Sequence, residues 1–364
     1  MRAIEATPFW RVAPLVEVSL YGPDQDTGYA HRPGVTGYWR TENRTHIRIS
    51  AQGLRDDETS YAKPKNTFRV ALLGDSITEA LQVELRQTYQ AVMERRFAER
   101  GRAIQVVNLA LAGATPAVSV ARLRSHARRF SPDMAVLVHS AGDLLSPAMT
   151  DDSRFPAYRP TPSGIHRLSY GFRSSAGFQL RSSIFGRLIY WLTDHSRFAG
   201  ALNGRLNVGW FAELNRTPSP RKASVVSAGA CDMSALKRQV MLWKEQEPRR
   251  TNAVLNAFLR DLQDYRSKSG QPVVLALFAI APGCKTALPL RASLVTQIRA
   301  RLAAHGIELH DVDAALRANR PSNRRWRDLR GFGVRLGVGH LNPLGHQIMA
   351  RALETAVVPH LPAR

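Results

Sequence analysis

Two kinds of apolar spacing alternate along the chain from Phe68 onward. Phe68-Arg69-Val70-Ala71-Leu72-Leu73 is a short apolar run closed by Gly74, the pattern of a strand buried on both faces. Residues 85–100, rich in Gln, Glu, Arg and Ala, predict a helix. Ile104 to Leu109 predicts a second strand ending at the turn Ala112-Gly113-Ala114. Ala117 to Arg129 predicts a helix, and Met134-Ala135-Val136-Leu137-Val138 a third buried strand. The rhythm resumes with a helix over Asn252 to Lys268, the turn Gly270-Gln271-Pro272 and a strand over Val273 to Ile280. A helix over Leu290 to His305, a strand over Ile307 to Val312 and a terminal helix over Leu344 to Leu361 complete it. Strands alternating with helices predict a parallel sheet in a layered α/β fold.

Two stretches stand outside that rhythm. Residues 1–65 are polar and punctuated by Pro23, Gly28, Pro33, Gly34, Gly37 and Gly53, with one short strand at Thr45 to Ser50; they are expected to pack on the main domain as an arm. Residues 147–250 contain the loop markers Pro156, Pro160, Pro162 and Gly164, a helix near Ile184 to Leu192, and a segment at 214–230 whose Pro, Ser, Ala and Gly content predicts flexibility. This span is expected to be an insertion or lid between halves of one sheet. The chain then divides into arm 1–65, first half 66–146, insertion 147–250 and second half 251–364. No internal repeat is visible.

Composition narrows the class. With 44% hydrophobic and 22% charged residues, the 364-residue chain is neither disordered nor fibrous. No apolar run approaches the roughly 18 residues a membrane helix needs. The formal charge is +22, and only 7 of the 51 basic residues are Lys. An anionic partner fits this excess: nucleic acid, an acidic polysaccharide or an anionic membrane surface. So does arginine bias spread over a solvated surface, which the scatter of the arginines favours. The densest clusters are Arg122-Arg124-Arg128-Arg129 and Arg320-Arg324-Arg325-Arg327-Arg330. Neither is interleaved with a regular set of aromatics, and no zinc finger, RNP motif or helix-turn-helix is present, so nucleic acid is not an expected partner. Cys231 and Cys284 make no disulfide framework; they are either one bridge in an exported protein or two thiols. The first eight residues lack the apolar core of a signal peptide. As it stands the chain reads as cytoplasmic, and as exported or periplasmic if its start lies further upstream.

The sharpest local feature is Gly74-Asp75-Ser76-Ile77-Thr78, directly after the first strong strand. A serine there stands at the carboxyl edge of the sheet, where open α/β sheets bind ligands, and a helix N-terminus beside it favours developing negative charge. Alone, Ser76 reads as readily as an N-cap. The second feature is Gly339-His340-Leu341-Asn342-Pro343-Leu344-Gly345-His346. A loop histidine that reaches a strand-end serine is a candidate general base, whereas His346 is expected to pack near the helix start. No cofactor or metal is expected: there is no Walker A, no Gly-x-Gly-x-x-Gly after a strand and no His-Glu-x-x-His, and His139 with Asp143 begins a loop.

Together these blocks resemble the SGNH (GDSL-type) hydrolase family, over about 68–145 and 252–360. The arm, with Asp26-Thr27-Gly28-Tyr29, His31-Arg32-Pro33-Gly34 and Gly53-Leu54-Arg55-Asp56, is similar to that of longer bacterial members associated with cell-surface carbohydrate. The resemblance implies a flavodoxin-like α/β/α sandwich with Ser76 as nucleophile, His340 as base, and the N–H groups of Gly113 and Ser76 as oxyanion donors. Two positions depart from the family pattern. Gly142, in Ser140-Ala141-Gly142-Asp143, stands where the family has an oxyanion-binding asparagine. Gly337 and Val338 stand where the acidic partner of the histidine is expected; Asp311, Asp313 and Asp328 are the substitutes considered. The expected function is a serine esterase or acyl-transfer enzyme acting on a small ester-linked acyl group, such as acetyl on a carbohydrate. The alternative is a catalytically degenerate binding or accessory protein for an anionic polysaccharide. Expected partners are accordingly an ester-bearing small molecule or polysaccharide, or an anionic glycan; the sequence leaves the oligomeric state open.

Overall fold

The computed structural model describes residues 20–196, 237, 240–241, 249–278 and 288–363. The 214–230 segment, Cys231 and Cys284 lie outside the described residues. The arm supplies β1 (Tyr21–Gly22), β2 (Ala30–His31), β3 (Thr36–Trp39) and β4 (Thr45–Arg48), paired as two antiparallel hairpins. Then come β5 (Phe68–Gly74), the single turn α1 (Ser76–Glu79), α2 (Tyr89–Ala98), β6 (Ile104–Asn108), α3 (Pro116–Ser125) and β7 (Met134–Ser140). The insertion adds the hairpin β8 (Ala157–Pro160) and β9 (His166–Ser169), then α4 (Ala176–Ser182) and α5 (Ile184–His195). The second half contributes α6 (Arg249–Ser269), β10 (Val273–Phe278), α7 (Leu288–Ala303), β11 (Glu308–Asp311), α8 (Val312–Asn319) and α9 (Pro343–Val357).

Five parallel strands form the central sheet in the order β11-β10-β7-β5-β6. Counted along the chain, that order is 2-1-3-4-5, the flavodoxin-like arrangement. Successive residues of each strand feed opposite layers, as the two-residue period requires. Ala71, Leu73, Ala135, Leu137, Leu275 and Leu277 pack under α3, α6 and α7. Val70, Leu72, Val136, Val138, Val274 and Ala276 pack under α2, α8 and α9. Because both faces are covered, these strands read as unbroken apolar runs, and each fully buried Val or Leu contributes on the order of 1.5–3 kcal/mol.

Local chemistry trims several predicted boundaries. The helix expected from residue 85 begins as a 3-10 turn, Leu85–Gln87, because Thr88 takes an extended conformation and caps α2 through Ala91 N. The last strand stops at Asp311, whose carboxylate accepts from Ala314 N and starts α8. The terminal helix gives way after Val357 to a 3-10 turn containing Pro359.

The arm is bound to the sandwich by apolar and buried polar contacts. Leu20, Ile47 and Ile49 cluster with Leu81, and Tyr29 packs with Leu111, Ala114 and Val118. Buried Arg55 donates to Val83 O (3.1 Å), and buried Asp56 accepts from Asn108 N (2.9 Å) and Gln90 Nε2 (2.7 Å). Within the main domain, Arg122 is buried, and Arg124 pairs with Asp261 of α6 (2.8 Å). Two arginines of the first cluster are therefore structural.

Two buried histidines give a pH-dependent stability with a definite sign. His346 Nδ1 accepts from Tyr89 N (3.2 Å), and burial, with His340 nearby, pushes its pKa down to about 3. Burial likewise lowers His139, next to Ser119 Oγ at 2.9 Å, to about 4, against the pull of Asp143. The unfolded chain takes up these protons from about pH 6.5 downward and the folded chain does not. Their stabilisation is thus present above pH 6.5 and is lost as pH falls toward 4. Buried Asp56, raised to about 7 chiefly by desolvation, acts in the opposite sense over the same range. The diagnostic quantity is therefore a difference in slope. His346→Asn keeps an acceptor for Tyr89 N, and its urea-unfolding free energy should decline less steeply between pH 6 and pH 4, by about 1.4 kcal/mol per pH unit. Parallel slopes in variant and wild type would refute the assignment.

Candidate active site

In the order 2-1-3-4-5 the sheet reverses direction beside β5, and the crevice at the carboxyl ends of β5 and β7 is where such sheets bind ligands. Ser76 stands at the end of β5 and Gly142 just beyond β7. Gly74 closes β5 where a side chain would strike Val138 O and Thr78. Asp75 caps α1 by accepting from Ile77 N (2.9 Å), so the capping role falls to Asp75 and leaves the hydroxyl of Ser76 at the first helical position. Desolvation raises the Asp75 pKa to about 7, helped by the charge of Asp143. Ala80, at φ +60°, ends α1 after one turn.

Ser76 Oγ lies 2.8 Å from His340 Nε2. The histidine is placed by a closed loop: Gly331 N donates to His340 O, Gly337 N to Arg330 O and Asn342 N to Leu329 O. Asn342 then caps α9 through Gly345 N (3.0 Å), and buried His346 sits one turn into that helix.

The acidic partner comes from the arm. Trp39 and Thr45 are the last pair of the β3–β4 hairpin, and Glu42 occupies the tip of the five-residue loop between them. Its Oε1 lies 2.7 Å from His340 Nδ1, and its Oε2 accepts from His340 N at 2.9 Å. The carboxylate thus grips ring and backbone of one residue, and the side chain is only 24% exposed. Glu42 has φ +68°, a left-handed conformation that costs a non-glycine residue about 1 kcal/mol.

The neighbouring sequence makes room for it. A Cβ at Gly339 would collide with the Glu42 carboxylate, and Gly339 itself has φ +87°. The hairpin tip is pinned beyond α1: Asn43 Nδ2 donates to Gln82 O (3.0 Å), Thr45 Oγ1 to Leu81 O (2.5 Å) and His46 N to Glu84 Oε1 (3.2 Å). Below it, Glu79 of α1 is fully buried and meets His31 Nε2 and Tyr21 Oη, both at 2.5 Å.

None of the three aspartates considered for this role meets the histidine. Asp311 is held by Arg291 Nη2 (2.6 Å) and caps α8. Asp313 is buried in the first turn of α8, and Asp328 caps its own 3-10 turn through Arg325 N (2.7 Å). Sequence reasoning missed Glu42 because it searched for the acid near the histidine in the chain, whereas 298 residues separate the two.

Gly113 lies beside the strand that leads to Ser76. Leu109 N and Leu111 N donate to Leu72 O and Gly74 O, which extends the β6 pairing past the end of the strand. The turn Leu111–Ala114 then closes with Gly113 at its third position at φ +75°, which favours glycine. Tyr29 Oη of the arm fixes this turn by donating to Ala112 O (2.6 Å). Gly142 is helical in conformation (φ −72°, ψ −30°) and exposed, in a turn where Ser140 N meets Asp143 Oδ2 and Asp143 N meets Ser140 Oγ. Among the described residues a Cβ there would touch Ser140 Oγ alone, at 3.6 Å.

Among the described residues one group has metal-ligand spacing, Asp24, Asp26 and His126. Asp24 is taken up by Asp26 N, Thr27 and His126, so the group is a structural turn. No described helix is long and apolar enough to cross a membrane.

No family model matches the chain, and no curated protein is significantly similar to it. Solved structures similar to it include TesA, at 14% identity and TM-score 0.39 over 80% of this chain and 99% of that one. The lipase/acylhydrolase from Enterococcus faecalis is similar at 14% and 0.39 over 82% and 98%. The acetyl xylan esterase AlAXEase is similar at 14% and 0.39 over 80% and 100%.

The packing of Glu42 against Gly339 is open to a direct check. Gly339→Ala should expel the carboxylate and abolish the low-field proton signal of the His340 Nδ1–H···Glu42 bond, as Glu42→Gln should; the alanine, strained at φ +87°, should also lower the melting temperature by a few degrees, and Glu42→Gln should not. A signal retained in Gly339→Ala would show that the carboxylate does not need that space.

Proposed function

We propose that the protein is a serine esterase or acyl-transfer enzyme of SGNH type, with Ser76 as nucleophile, His340 as general base and Glu42 as the carboxylate that orients it. The observation that carries this reading is the unbroken hydrogen-bond chain Ser76–His340–Glu42, at 2.8 and 2.7 Å. Nucleophile, base and orienting acid in that geometry define an acyl-transfer relay whatever their order in the chain. Here the order is Glu, Ser, His.

In this mechanism Ser76 Oγ attacks the acyl carbonyl carbon while its proton passes to His340 Nε2. Glu42 holds Nδ1–H and stabilises the imidazolium. The N–H groups of Gly113 and Ser76 receive the oxyanion, and the leaving alkoxide takes the proton back from Nε2. Water or an acceptor hydroxyl then attacks the acyl-serine, with His340 again as base. Among substrates, a small acyl group such as acetyl on a carbohydrate is favoured. The support is the likeness of the arm to longer bacterial members, and AlAXEase acts on acetyl xylan by its own name.

One observation supports the second reading, a binding or accessory protein. Gly142 offers no side-chain oxyanion donor, and losing one such donor typically costs 10²- to 10³-fold in rate. The presence of Glu42 favours the enzyme, because glycan binding requires no oriented histidine.

Hydrolysis of p-nitrophenyl acetate separates the two. Ser76→Ala should reduce the rate to background; equal rates in variant and wild type would reject the enzyme reading. Glu42→Gly should fold at least as well as wild type, since glycine suits φ +68°, but lose roughly 10²- to 10⁴-fold in kcat. Added formate, a carboxylate small enough for the vacated space, should restore part of that loss.

The missing donor can be supplied. Gly142→Asn suits the helical backbone at this position and should raise kcat, by up to about 10²-fold. Unchanged kcat would place the deficit elsewhere.

A further inference from the structure

The loop that carries His340 has an outer surface which the proposed relay does not use. Its backbone is closed by Gly331 N to His340 O and Gly337 N to Arg330 O, and Arg335 N donates to Phe332 O. A side chain at Gly331 would strike Arg335 O, so the loop is folded tightly on itself. From this fixed protrusion Val334, Leu336 and Val338 point into solvent at 102%, 44% and 54% exposure. In the same stretch of chain Arg324, Arg325, Arg327 and Arg335 are exposed. The lone acid of this stretch, Asp328, is occupied in capping.

A second apolar surface belongs to the insertion. On α5, Ile184, Phe185, Leu188, Ile189, Trp191 and Leu192 are all exposed, while Gly186 and Thr193 form its buried side. The helix turns its apolar side outward. It is tied to the arm where the Arg32 guanidinium lies over the Tyr190 ring, next to His31 and its partner Glu79. Both surfaces are thus anchored to the elements that hold Ser76 and His340.

We propose that the mouth of the site docks on an anionic lipid surface, with Val334, Leu336 and Val338 entering the interfacial layer and the exposed arginines of the same stretch meeting lipid phosphates. Exposed apolar side chains with exposed cations beside them in the chain are the composition that interfacial membrane binding uses. A soluble anionic glycan would account for the arginines but leave the fully exposed valine without a role. A net charge of +22 opposes pairing of two copies through arginine-rich faces and favours a negatively charged layer. A loop already rigid in the free protein loses little entropy on docking.

Co-sedimentation of the full chain with vesicles tests this independently of any activity. The protein should pellet with phosphatidylcholine–phosphatidylglycerol vesicles, weakly with phosphatidylcholine alone, and less as salt rises. Val334→Asp/Leu336→Asp should weaken partitioning by about tenfold or more with an unchanged melting temperature. Arg324→Gln/Arg325→Gln/Arg335→Gln should remove the preference for the anionic lipid. Val334→Ser/Leu336→Ser, milder at the same positions, should weaken partitioning in the same direction if the aspartates disturb folding. Three results would overturn the proposal: no sedimentation with anionic vesicles, sedimentation unaffected by the loop substitutions, or a concentration-dependent dimer that Val334→Asp dissociates. Binding of soluble alginate that Arg324→Gln/Arg325→Gln/Arg335→Gln weakens, without sedimentation on anionic vesicles, would overturn the proposal and transfer the surface to a glycan.

Discussion

A carboxylate from the tip of a hairpin in the arm holds the imidazole that faces Ser76, and the geometry of the site depends on that contact. Neither oxygen of Glu42 is idle: one meets Nδ1, the other the backbone N–H of the same residue. This double hold fixes the ring's rotation and tautomer together, as an orienting acid must. It also makes the arm part of the site. The buried Glu79–His31–Tyr21 cluster, one turn along α1 from Ser76, then reads as the fastening between α1 and the arm. Breaking one partner of such a cluster leaves a buried charge uncompensated, which commonly costs several kcal/mol.

The one-turn helix after Ser76 assigns the electrostatic task more narrowly. A macrodipole grows with aligned peptides, and four residues provide few. Asp75 and Asp143 stand nearby, and the rise of Asp75 to about 7 by burial and by that neighbouring charge shows an environment unfriendly to added negative charge. In the proposed mechanism an oxyanion formed here would therefore depend on the N–H groups of Gly113 and Ser76. The fixing of the Gly113 turn by Tyr29 gains its significance from this, since a donor that wanders stabilises little.

The sheet was legible in the sequence because strands covered on both faces leave unbroken apolar runs, as at Val70–Leu73 and Met134–Val138. Ser76 and His340 were legible because each lies in a compact block with unusual neighbours. The ends of elements were less so: Thr88 and Asp311 are caps whose effect depends on side-chain geometry. Glu42 was illegible for a topological reason. It lies in a turn-rich, polar stretch where a glutamate attracts no notice, and only the docking of one hairpin beyond α1 brings it to the loop before α9. Of the aspartates eligible by proximity in sequence, Asp311 and Asp328 are spent on capping and on Arg291.

The glycine at 339 has a meaning for reading other chains. A catalytic acid supplied by a distant segment writes nothing acidic beside the histidine it serves. What it leaves there is a footprint, a position emptied of its side chain so that a visitor can stand in it. Where a histidine block of this kind lacks its local acid, a small residue immediately before the histidine marks a berth, and a glutamate at a hairpin tip elsewhere becomes the vessel to look for.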